Sequence, residues 1–107
     1  MTAAKTTVEQ SWADIDLMTS SMRAAANKKA WDEVLDLSGT RHLQLMSHFK
    51  EFPVGPDNAE FYQARLTHML SGEKELQQMA TQARKEVMRQ GLISTQNHRA
   101  VGAYLQQ

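Results

Sequence analysis

The chain has 107 residues, room for one core, and its twelve basic residues balance twelve acidic ones. Zero net charge argues against nonspecific binding to nucleic acid or anionic membranes, which draws on a basic surface. With no cysteine no disulfide can form, no apolar run approaches the roughly 18 residues of a membrane span, and Met1 to Thr7 lack the apolar core of a secretory signal; a cytoplasmic protein is expected.

Residues 1–5 are expected to be flexible. Thr6-Thr7-Val8-Glu9 reads as a capping box, a threonine hydroxyl capping a free backbone N–H while Glu9 reaches back. Helix 1 is predicted over 6–27, with Val8, Trp12, Ile15, Thr19, Met22 and Ala26 on one seam. Asn27 tolerates the left-handed conformation, so the helix should stop there.

Helix 2, over 29–52, opens with Asp32 and Glu33, acids that suit the positive end of a helix. Its predicted seam is Trp31, Leu35, Ser38, His42, Leu45, Phe49 and Phe52. Phe52-Pro53-Val54-Gly55-Pro56 is the clearest break, because proline lacks the backbone donor and disfavours helix in the residue before it.

Helix 3, over 57–90, should be capped by Asp57, with Glu60 three residues on. Tyr62, Leu66, Met69, Glu73, Leu76, Ala80, Ala83 and Val87 alternate spacings of four and three, a heptad seam interrupted by Glu73. At 1.5 Å per residue it would run about 50 Å, about 17 Å beyond either earlier helix. Gly91 is its expected C-cap. Ser94 or Thr95 can then cap a helix over 94–106 bearing Val101, Tyr104 and Leu105; this fourth helix, marginal alone and weakened by Gly102, should depend on docking.

The expected fold is all-α and single-domain. It is an antiparallel up-down helical bundle of three long helices, with a short fourth packed on helix 3 and covering its overhang. Pairing helices 2 and 3 about Gly55 sets Gly39 level with Gly72, where two small residues either allow a close backbone approach or merely lower helicity. The same pairing sets Glu73 within a turn of Arg41 and His42, and a buried carboxylate needs such a partner. Trp12 and Trp31 read as core anchors. The internal methionines read either as core filler or as an adaptable binding surface.

Chemistry finds little purchase. The histidines stand at 42, 48, 68 and 98, no two four apart, and no Glu-x-x-His occurs. There is no glycine-rich phosphate loop, and no nucleophile is spaced to join Glu73 and His42. No catalytic, metal-binding or cofactor-binding residue is expected.

Four stretches carry a resemblance. Met22-Arg23-Ala24-Ala25 leads into Ala30-Trp31-Asp32-Glu33-Val34. Met69-Leu70-Ser71-Gly72-Glu73-Lys74-Glu75-Leu76, Arg84-Lys85-Glu86-Val87 and Ala100-Val101-Gly102-Ala103-Tyr104 follow in order. Together they resemble the FliT-type flagellar export chaperones, from about Trp12 to Tyr104. The resemblance implies a small cytoplasmic helical protein that binds the C-terminal part of the filament-cap protein FliD, holds it unpolymerised and hands it to the type III export apparatus. It also implies contact with the export ATPase complex and, in some members, with a flagellar transcription regulator.

On that reading an amphipathic segment of FliD lays its apolar face in a groove along helices 2 and 3. Leu43, Met46, Leu70, Leu76, Met79, Ala83 and Val87 are the candidate walls. Helix 4 either competes for that groove through Val101, Tyr104 and Leu105, as a gate, or is simply the fourth element of the bundle. The rival readings are a self-associating coiled-coil module, the chain being a monomer or weak homodimer, and an adaptor whose main target is the ATPase or a regulator.

Overall fold

The computed structural model describes residues 7–90 and 95–106, with the backbone alone at residues 87, 90, 95 and 96. The described residues are all-helical apart from caps and turns: α1 (Val8–Asn27), α2 (Trp31–Glu51), α3 (Ala59–Gln90) and α4 (Thr95–Leu105). The expectations for Met1 to Lys5, Gly91, Leu92, Ile93 and Ser94 fall outside the described residues.

The capping box is real but sits one residue later than predicted. Thr7 is the N-cap, its hydroxyl accepting from the Gln10 N–H, while the Gln10 side chain accepts from the Thr7 N–H, each at 3.1 Å. Glu9 occupies the first turn instead. At the other end of α1 the Ala30 N–H reaches the Ala25 carbonyl and the Lys29 N–H the Ala26 carbonyl. That is a Schellman turn, and its left-handed residue is Lys29, at φ 59°, not Asn27.

The α2–α3 turn is closed by Asn58, not by Asp57. Its side chain accepts from the Gly55 N–H and donates to the Pro53 carbonyl. The Tyr62 N–H bonds to the Asn58 carbonyl, so α3 opens two residues later than predicted.

The helices meet in a ring: α1 packs on α2 and α3, and α4 packs on α2 and α3. No Cα of α2 comes within 8 Å of a Cα of α3. The predicted close approach of Gly39 and Gly72 therefore does not occur. Gly72 faces Arg23 and Thr19 of α1, and Gly39 faces open space.

Two apolar clusters fill the ring. One joins Trp12 and Ile15 of α1 to Tyr62 of α3, with Leu45 and Phe49 of α2 against them. The other joins Met22 and Ala26 of α1, Trp31 and Val34 of α2, Leu76 and Ala80 of α3, and Val101 and Tyr104 of α4. Both tryptophans are core residues, each 1% exposed.

The buried stripe of α2 is the predicted one only in part. Trp31, Val34, Ser38, Arg41 and His48 are buried, while Leu35 and Phe49 are half-buried and His42 is exposed. Trp31 and Ser38 are common to both stripes, but Val34, Arg41 and His48 take the places predicted for Leu35, His42 and Phe49, and Arg41 and His48 find partners on the flanking helices.

Candidate functional site

The site is built where α4 lies between α2 and α3. Its floor is the second apolar cluster, and Tyr104 is its pivot. The Tyr104 ring lies 6.0 Å from that of Trp31, tilted by 39°. Its hydroxyl donates to the Glu73 carboxylate at 2.8 Å. Burial, and then the bond to Glu73 and its negative charge, push the Tyr104 phenol far above its ordinary range, with Arg41 opposing. Tyr104 is therefore a neutral donor at any physiological pH.

Glu73 also takes the Arg41 guanidinium, so a single carboxylate holds α2 and α4 to α3. Arg41 donates a further bond to the Thr19 hydroxyl of α1 at 3.1 Å. All four helices thus meet on one polar chain. Of the two partners predicted for Glu73, Arg41 is the one present. The Glu73 heptad spacing placed the carboxylate inward, and only the packing of α4 supplies Tyr104.

A second polar contact fixes the start of α4. The Asn97 carbonyl oxygen accepts from the Trp31 N–H at 2.9 Å and its amide donates to the Lys29 carbonyl at 2.7 Å. Ala30, the N-cap of α2, supplies no side-chain cap of its own.

The candidate binding residues divide among different places. Leu76, Val101 and Tyr104 are core residues with no exposed surface, and Leu105 is half-buried. Leu76 is therefore not an open groove wall. Met79 and Ala83, half-buried, line a groove of about 490 Å³ beside Trp31, rimmed by Glu75, Gln78 and Lys29. Leu43 and Met46, 66% and 60% exposed, lie on the outer face of α2. Leu70 is 64% exposed, and the side chain of Val87 lies outside the described residues. The predicted continuous groove assumed that the backbones of α2 and α3 lie side by side. Their separation, with α4 in between, divides it. A second groove of about 450 Å³ runs along α2 past Ser38, Gly39, Arg41, His42 and Leu45. Tyr104 of α4 meets Glu73, and Val101 and Tyr104 share a cluster with Leu76 and Ala80, while Met88 near the end of α3 is 80% exposed.

At the opposite end of the molecule the sequence reading missed His48, which is 2% exposed. Tyr62 spends its one hydroxyl proton on the Phe52 carbonyl, at 2.8 Å. In the contact between His48 Nε2 and Tyr62 Oη, 2.7 Å long, Nε2 must therefore be the donor. Nδ1 is left as the acceptor for the Ser11 hydroxyl, at 2.7 Å. Burial lowers the His48 pKa, against a smaller upward pull from Glu51. A serine beside a histidine invites a catalytic reading, but this chain ends on a backbone carbonyl inside an aromatic cluster of Trp12, Phe49 and Tyr62. It ties α1, α2 and α3 together.

No family model, curated protein or solved structure matches this chain. Among the described residues no cluster of His, Asp or Glu is arranged to hold a metal ion, and no helix is long and apolar enough to cross a membrane. What the arrangement offers is an apolar floor under a short, polar-tethered helix.

Proposed function

We propose that this chain is an export chaperone of the FliT type, a binding protein and not an enzyme. In the cytoplasm it takes the amphipathic C-terminal segment of the filament-cap protein FliD, keeps that subunit unpolymerised and delivers it to the type III export apparatus. The resemblance in four ordered stretches brings the client. The observation that carries the mechanism is the seat of α4. An eleven-residue helix, marginal alone, covers Trp31, Val34, Leu76 and Ala80. Its removal bares an apolar strip continuous through Trp31 with the Met79–Ala83 groove. An amphipathic client helix has the shape and chemistry to replace it. The frame for this is an up-down bundle of three long helices with the fourth docked on α3. It is supported by the two clusters, which pair the start of α1 with the end of α2 and the end of α1 with the start of α2.

The test is calorimetric titration with the C-terminal segment of FliD, using the full chain, a Tyr104→Ala variant and a form stopped after Ile93, each checked for helicity. A cover that is closed most of the time lowers apparent affinity by its open fraction. Both altered forms are therefore expected to bind more tightly than the full chain. Weaker binding by Tyr104→Ala sinks the competitive cover. Equal binding by all three keeps the client and makes α4 structural. No binding by any folded form removes the client. Attention would then pass to self-association, which the exposed Leu43 and Met46, one turn apart on α2, favour. Light scattering across concentrations decides that reading. Binding to the export ATPase complex or a transcription regulator is tested by competition with FliD.

A further inference from the structure

The N-terminus of α2 has no cap within its own sequence. Ala30 stands at the N-cap, where Ser, Thr, Asp or Asn would ordinarily satisfy one of the free N–H groups. The first intrahelical bond recorded there is from the Val34 N–H to the Ala30 carbonyl. The Trp31 N–H instead finds the side chain of Asn97, 66 residues away. The other half of the same amide takes the Lys29 carbonyl, which the left-handed turn at Lys29 precedes. One planar side chain thus satisfies a backbone donor and a backbone acceptor of the α1–α2 junction together. The Asn97 amide carries both a donor and an acceptor, and both are used here.

We infer that Asn97 is a latch through which docking of α4 and capping of α2 are one event. When α4 leaves, the first turn of α2 loses its cap in the same step. Trp31, the residue shared by the α4 seat and the adjacent groove, is freed at its backbone as well as its ring. The device deepens the chaperone reading, because it rests on α4 being the removable element. It adds that opening reshapes the α1–α2 junction as well as baring the floor beneath α4. The Trp31 amide becomes a reporter of a helix that contains none of its own chain neighbours.

Native-state amide exchange, read by NMR on the full chain without any client, tests this. Three groups of amides are followed: Trp31, the α4 pair Val101 and Tyr104, and Tyr62 at the far cluster. In the unaltered protein Trp31 and the α4 pair are expected to exchange with the same protection, below that of Tyr62. Tyr104→Phe removes the bond to Glu73 and touches neither group of the cap. It is expected to speed Trp31 and the α4 pair by the same factor and leave Tyr62 unchanged. Asn97→Ala is expected to speed both by at least about fivefold, the weight of a lost cap. Asn97→Asp keeps the acceptor and should restore much of the Trp31 protection. The latch is overturned if Tyr104→Phe speeds α4 alone, if Asn97→Ala speeds Trp31 alone, or if Tyr62 rises with the rest, which would mean global unfolding. Failure to bind FliD in the titration above would remove the client and leave this result intact.

Discussion

Buried polar groups set the sharpest chemical constraints. Arg41 keeps 9% of its side-chain surface and Glu73 28%. Removing one partner of a fully buried pair costs about 3–5 kcal/mol; with Glu73 partly in water, Glu73→Leu is expected to cost about 2 kcal/mol in urea denaturation. The double variant Arg41→Met with Glu73→Leu should recover most of it, because no charge is then left unpaired. A rise in melting temperature for Glu73→Leu alone would show the pair dispensable. His48 sets a pH dependence. Its folded pKa lies below the ordinary 6.5, so as pH falls the unfolded chain takes up the proton first and stability is lost. Thermal melts between pH 7.5 and 5 are expected to fall below about pH 6.5 in the unaltered protein. In His48→Gln the curve should be flatter over that window; an unchanged slope would clear His48 of the effect.

At the level of elements, α3 and α2 show how far a heptad pattern reaches. Up to Ala83 the α3 seam follows the prediction, with Tyr62, Leu76 and Ala80 buried and Leu66, Met69 and Ala83 against the core. In α2 a seam through Leu35, His42 and Phe49 competes with one through Val34, Arg41 and His48, one residue earlier. Hydrophobicity favours the first. The second wins because α2 is gripped on two sides, and its polar residues find Thr19 and Ser11 on α1 and Glu73 and Tyr62 on α3. Gly72 illustrates the same dependence. A methyl group there would meet Arg23 and Thr19 of α1 at 3.7 and 3.8 Å, ordinary contact distances. Gly72→Ala is therefore expected to stabilise by about 0.5–1 kcal/mol through backbone entropy, a rise in the urea midpoint. Destabilisation would mean that α1 sits closer to α3 in solution.

Over the whole molecule, 54 Å long and 19 Å at its thinnest, α3 sets the length and the other helices share only part of it. Its 32 residues span about 48 Å. α4 packs on both α2 and α3, and Met88 near the end of α3 is exposed. That position makes α4 a divider of the bundle. It also explains why a groove drawn along α2 and α3 falls into separate patches, with Leu43 and Met46 on one and Met79 and Ala83 on another.

What local physics decides can be read from the residues alone. Heptad periodicity marks the helices, the proline pair marks the central turn, the tryptophans mark the core, and Glu73 stands out as a polar interruption in need of a partner. Those signals act within a turn or two of chain, where spacing and backbone chemistry suffice. Which helices pack together emerges only when the chain folds. Nothing local tells that the backbones of α2 and α3 keep more than 8 Å apart, that His48 is buried against Ser11 and Tyr62, or that Asn97 caps a helix 66 residues earlier. Each depends on a polar group meeting a partner remote in sequence, and desolvation makes such a meeting favourable only once the surrounding apolar surfaces have already closed.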